Sequence, residues 1–151
     1  MIISGTIKHK KNRYELWRIW NNQKPLILFI LLNPSTADDK NDDKTVKKLI
    51  GFTKKYDFGG FYIGNLFSYI SPSPHPIKFV HNEVKNINHI KLMNKKCKKV
   101  VLGWGNLGAN PNWLLDEIID PMCFGINKSG TPKHPLYLSY KTELIKYPLK
   151  L

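Results

Sequence analysis

Apolar and polar positions along the chain fall into short blocks whose period changes several times. "LILFILL", Leu26 to Leu32, is an unbroken apolar run, the pattern of a strand covered on both faces. "FYIGNLF" and "KKVVLGWG" repeat that pattern, and Cys123 to Ile126 is a shorter fourth candidate. From about Asp43 to Tyr56 the period becomes helical. Val46, Leu49, Ile50 and Thr53 share one face there, while Lys47, Lys48, Lys54 and Lys55 lie mostly elsewhere. Asp42 or Asp43 is placed to cap the first turn, and Gly59-Gly60 marks the stop. Lys78 to about Lys95 is a second predicted helix, and Trp113 to Ile119 a short third. Near the start, a basic turn at Lys8 runs into "RYELWRIW", which suits an edge or antiparallel strand. "SPSPHP", Ser71 to Pro76, is a stiff loop that cannot be helix.

This alternation predicts one domain over residues 1–151, a three-layer α/β/α sandwich. Its central sheet is expected to be four-stranded and mainly parallel, with an N-terminal antiparallel edge element. In such a sheet, ligands bind beyond the carboxyl ends of the strands. Those ends carry Asn33-Pro34-Ser35, Asn65 and Trp104-Gly105-Asn106, with His134-Pro135 a little beyond the fourth. Polar, turn-forming and aromatic groups are thereby expected to converge on one rim.

Composition sharpens the picture in three places. A hydrophobic content of 42% over 151 residues is that of a folded globule with a well-buried core. No secretory leader is visible and the longest apolar run is far too short for a bilayer, so the expected location is cytoplasmic, with no membrane partner. The net charge of +13 favours a polyanionic partner, nucleic acid before an acidic membrane surface. Nearly all of that charge is lysine, however, which an AT-rich coding sequence also produces; Arg13 and Arg18 are the only arginines. Cys97 and Cys123 lack metal-ligand spacing and read as reduced core residues. Asp42 and Asp43 suit helix caps or solvated loop charges, or, together with Asp38 and Asp39, oxygen ligands of a hard cation. The alternative, a hard-cation site, fits no defined calcium loop, so no metal and no cofactor is predicted.

Four blocks, "LLNPSTAD…DDKT", "GNLFSY", "VLGWGNLG" and "KSGTPKHPLYL", resemble the signatures of a bacterial and phage family called domain of unknown function 1643, over most of the chain. The order of the motifs is also similar to that of the uracil-DNA glycosylase superfamily. Asn33-Pro34 falls where those enzymes carry a water-positioning loop, Asn65 where an asparagine reads the base, and His134-Pro135 where a late loop closes the site. Ser35 and Leu136-Tyr137 depart from the superfamily pattern, and no aspartate base stands at the Asn33 position.

The resemblance implies a DNA base N-glycosylase acting on a uracil-like or modified pyrimidine in DNA, and the chain is expected to be a monomer. Asn33 would then orient water, His134 would donate to the leaving base, and Asp38 would stabilise the sugar cation. Asn65 would read the base edge, and Phe67, Tyr69 or Trp104 would stack on it. Pro34, Ser35, Gly105, Asn106, Pro135 and Tyr137 complete the candidate substrate-binding rim, and Arg18, Lys128 and Lys133 are the candidate phosphate contacts. Structural readings stand beside these: a strand end for Asn33, loop support for Asn65, a turn for His134, and packing for Trp104 and Arg18. Two other functions stay open, a non-catalytic binder of nucleic acid or modified nucleotide, and a hydrolase or transferase acting on small nucleotides.

Overall fold

The structure is a computed structural model that describes residues 2–71, 83–106 and 111–148. The elements run β1 (Ile3–His9), β2 (Asn12–Ile19), β3 (Ile27–Leu31), α1 (Lys44–Lys55), β4 (Gly60–Asn65), α2 (Val84–Lys96), β5 (Lys99–Leu102), α3 (Asn112–Glu117), β6 (Met122–Cys123) and β7 (Ile145–Lys146). Most of the proline-rich loop expected from Ser71 to Pro76, and the first residues of the helix expected from Lys78, lie outside the described residues.

The expected four-stranded, mainly parallel sandwich is not what forms. Among the described residues the sheet has seven strands in the order β1-β2-β4-β3-β5-β6-β7, with three helices. Three neighbouring pairs are antiparallel (β1·β2, β2·β4, β6·β7) and three parallel (β4·β3, β3·β5, β5·β6). The physical reason lies at the two edges. β1 reads ISGTIKH and is mostly exposed, and β7 is a two-residue exposed strand. Neither carries the apolar run of a strand covered on both faces, so neither registers as a hydrophobic block.

The covered strands explain their own sequences. β3 is buried at every position because its residues alternate between two cores. Leu28 and Ile30 pack with Ile90 and Met93 of α2, while Ile27, Phe29 and Leu31 pack with Leu49 and Phe52 of α1.

A β-bulge decides what β2 offers to each face. Ile7 pairs with Glu15 and Lys8 with Arg13, which leaves Tyr14 as the extra residue. Tyr14 and Glu15 consequently both meet α2. The Tyr14 ring stacks on His89 at 5.1 Å, its hydroxyl donates to Glu83, and the Glu15 carboxylate pairs with His89. Arg13 is thrown to the other face, the side of Leu16 and Arg18.

There the two arginines hold the loop between β3 and α1. Arg13 Nη1 donates to the Ala37 carbonyl at 3.0 Å. Arg18 donates through Nε to Asp42 Oδ1 at 2.9 Å, through Nη2 to the carbonyls of Asp38 and Asn41, and through Nη1 to its neighbour Trp17. Arg18 is only 2% exposed. Burial lowers the Arg13 pKa to about 10, which leaves it charged at neutral pH. With Asp42 engaged by Arg18, Asp43 caps α1, its Oδ1 accepting from Val46 N at 2.8 Å.

Arg18→Ala should therefore destabilise the fold by about 2–4 kcal/mol, because it removes a buried cation that donates to several fixed acceptors, hydrogen bonds to charged groups contributing about 1.5–3 kcal/mol each. Arg18→Lys should recover only part, because an ammonium lacks the planar fork that serves several acceptors at once. Denaturant unfolding measures both; a loss within about 0.5 kcal/mol for Arg18→Ala, typical of a surface change, would refute the clamp.

Candidate functional site

From β3 the chain crosses to β4 on one side and later to β5 on the other. Loops leaving the carboxyl ends of β3 and β5 thus part over a crevice, the usual ligand position in a sheet of this kind. A recess of about 470 Å³ lies there. Asn33 and Ser35 enter it after β3, Trp104, Gly105 and Asn106 after β5, and His134, Leu136 and Tyr137 from the loop beyond β6. Thr45 in the first turn of α1 and Ser71 complete the lining with Leu32.

Asn33 is oriented by its own amide. Nδ2 donates to the carbonyls of Pro34 and Ser71, both at 3.0 Å. With both amide hydrogens engaged, the group left to the recess is the acceptor Oδ1. An aspartate here would set carboxylate oxygens against two carbonyls. Pro34 is buried, and its carbonyl also receives the Ser71 amide at 2.9 Å, which ties the two loops together.

His134 is oriented in the complementary sense. Its Nδ1 accepts from Leu136 N at 3.2 Å, which puts the proton of a neutral ring on Nε2. Burial depresses its pKa, with Asp43 opposing that shift. The ring is then neutral at pH 7 and acts as a donor.

Two glycines let the His134 loop come close. A Cβ at Gly103 would sit 3.1 Å from Pro135 Cδ, and one at Gly105 would sit 3.4 Å from His134 Cβ. Gly105 also has φ +77°, and its amide donates to the Pro132 carbonyl at 2.9 Å. Across the gap, Ser129 Oγ donates to Asn106 Oδ1 at 3.2 Å. Trp104 is 1% exposed, packs in the α2-side core edge-on to Tyr147, and gives the recess a rigid wall.

Several expected site residues are placed elsewhere. The Asp38 carboxylate accepts from the amides of Lys40 and Asn41 at 2.9 and 2.7 Å, an Asx-type turn within its own loop. Those backbone hydrogen bonds hold it below the usual carboxylate range, and it does not line the recess. Asn65 is buried beneath the rim, on the strand parity of Phe61 and Ile63, with its carbonyl receiving Asn86 Nδ2 at 2.8 Å. Phe67 packs against the α2-side core, and exposed Tyr69 bridges to Asn12. Arg18 is buried in the clamp, so its guanidinium is not presented to a phosphate. Lys128 and Lys133 are exposed on the loop that carries His134, Pro135 is buried, and Tyr137, 88% exposed, stands at the lip.

Thr45 and Ser71 were not foreseen. Thr45 follows from where α1 starts, because helices here begin at the rim where the parallel strands end. Ser71 follows only from its contacts with Asn33 and Pro34, which join residues far apart in sequence.

Among the described residues no three His, Cys, Asp or Glu side chains converge on a metal position. None of their helices is long and apolar enough to cross a membrane. Cys97 and Cys123 are free, and burial pushes the Cys97 thiol up to about 12.

The depressed His134 pKa carries a sign. As pH falls below the ordinary value of 6.5, the unfolded chain takes the proton first. The stability contribution of the neutral ring is thus complete above that value and declines as pH drops toward the lower folded pKa. Unfolding free energies measured across this range should fall faster with acid for the wild type than for His134→Gln. Parallel curves for the two proteins would contradict the assignment.

No curated protein and no solved structure matches the chain. The family described as "Protein of unknown function (DUF1643)" matches residues 13–136, and the chain belongs to that family.

Proposed function

We propose that the recess receives a pyrimidine-type base carried by DNA and that the protein hydrolyses its N-glycosidic bond. The observation that carries this reading is the pairing, on one recess, of an acceptor fixed at Asn33 Oδ1 with a neutral donor fixed at His134 Nε2. Glycosidic hydrolysis needs both. The oxygen of a water bonds to the anomeric carbon while the carbon–nitrogen bond breaks. The electron pair of that bond leaves with the base, and the proton lost by the water passes through solvent to the departing base. Asn33 Oδ1 accepts a hydrogen bond from that water and orients it. His134 Nε2–H meets the charge that develops on the base carbonyl. The volume of about 470 Å³ lies in the ordinary range for small-molecule sites. The charge of +13, with Lys128 and Lys133 exposed near His134, favours a phosphate-bearing substrate.

A second reading has its own support. The Asp38 carboxylate is engaged by its own loop, and among the described residues no carboxylate lines the recess to stabilise a sugar cation. A pocket of this kind also suits a protein that binds a base or modified nucleotide without turning it over.

Mass spectrometry of bases released from DNA carrying uracil or modified pyrimidines separates the two. Hydrolysis predicts abasic sites without added metal, with Asn33→Ala and His134→Ala each about 10²–10³-fold slower. Salt-sensitive DNA binding with no release across the panel would favour the second reading, and neither binding nor release would contradict both.

A further inference from the structure

We infer that the opposite rim of the sheet holds a second ligand site, for a small organic anion with an apolar body. The inference does not depend on the proposed hydrolysis. At that rim α1 ends and the parallel strands begin, and a second recess of about 410 Å³ opens between them. Phe58, Met122 and Leu144 give it an apolar lining, with Pro25 and Tyr56 beside them. Among the described residues, Lys98 and Lys99 are the only charged lining groups.

The polar atoms around this recess are largely engaged. The Tyr56 hydroxyl donates to the Thr142 carbonyl and accepts from Leu144 N, both at 3.1 Å. Lys98 N donates to Leu26 and Gly59 N to Pro25, both at 2.9 Å. The exposed carboxylate of Asp57 pairs with Lys24. Lys98 and Lys99 are both exposed and make no ion pair among the described residues.

The recess therefore offers apolar surface and positive charge, with little else to satisfy a ligand. A neutral polar molecule would lose its hydrogen bonds to water without replacement. A cation would meet two ammonium groups, and a bare phosphate would gain nothing from the apolar lining. A molecule joining an aromatic or aliphatic body to a carboxylate, sulfonate or phosphate group satisfies both parts.

Naphthalene-2-sulfonate is a suitable probe, followed by two-dimensional NMR on the full chain. Saturable binding at one site is expected, with shifts at Tyr56, Met122 and Leu144 and none at Asn33 or Trp104. The Lys98→Gln/Lys99→Gln double variant should bind about five- to tenfold more weakly, as should uncharged naphthalene-2-methanol with the wild type. Both differences should shrink as salt is raised. No saturation at millimolar probe, shifts confined to the first recess, or unchanged affinity in the double variant would each overturn the inference.

Discussion

The grip of two buried guanidinium groups on one loop is the contact from which the rest of the rim follows. Arg13 and Arg18 reach the carbonyls of Ala37, Asp38 and Asn41 and the carboxylate of Asp42. They fix the path of the chain from the end of β3 to the start of α1. Asn33 stands at one end of that path, and Asp43, the helix cap, at the other. Thr45 comes to the recess because α1 begins where the clamp leaves it. A chain with 24 basic residues uses arginine only at these two positions, where one cation must satisfy several fixed acceptors. Lysine, a solvated point charge, is left to the surface.

The clamp depends on a local irregularity in β2. Without the bulge at Tyr14, strand alternation would send Arg13 to the α2 face, away from Ala37. The extra residue instead gives α2 both Tyr14 and Glu15, and gives the β3–α1 loop both arginines. A comparable device closes the recess from the other side. Gly103 and Gly105 remove the side chains that would hold the His134 loop away from β5, and Nδ1 of His134 is tied down two residues along its own loop. Acceptor and donor are thus set by separate parts of the fold, each through bonds that leave a single atom for a ligand.

How much of this was legible in the sequence depended on whether the signal was local. β3, β4 and β5 announce themselves because both of their faces are covered. β1 and β7 do not, and with them went two of the three antiparallel pairs, which is why a mainly parallel four-stranded core was the wrong expectation. Asp42 and Asp43 looked equivalent as caps. The choice between them is made by Arg18, 24 residues away from Asp42. At the site, Asn33, Trp104, Gly105, Asn106 and His134 follow from the rule that strand ends gather ligands. Asp38 does not join them, because amides two and three residues on take its oxygens first. Asn65 marks a strand end correctly, yet the pleat turns its side chain into the α1-side core. The basic charge was read as a partner signal; its two arginines turn out to be internal, and only the lysines remain to meet a polyanion.

In the proposed function a base-bearing ligand enters between Asn33 and His134. NMR of the full chain, titrated with a DNA oligonucleotide carrying one uracil or modified pyrimidine, tests this most directly. The Asn33 side-chain amide and the His134 ring nitrogens should shift together and saturate with the DNA. Shifts spread over lysine-bearing surfaces, with Asn33 and His134 unmoved at saturation, would contradict it.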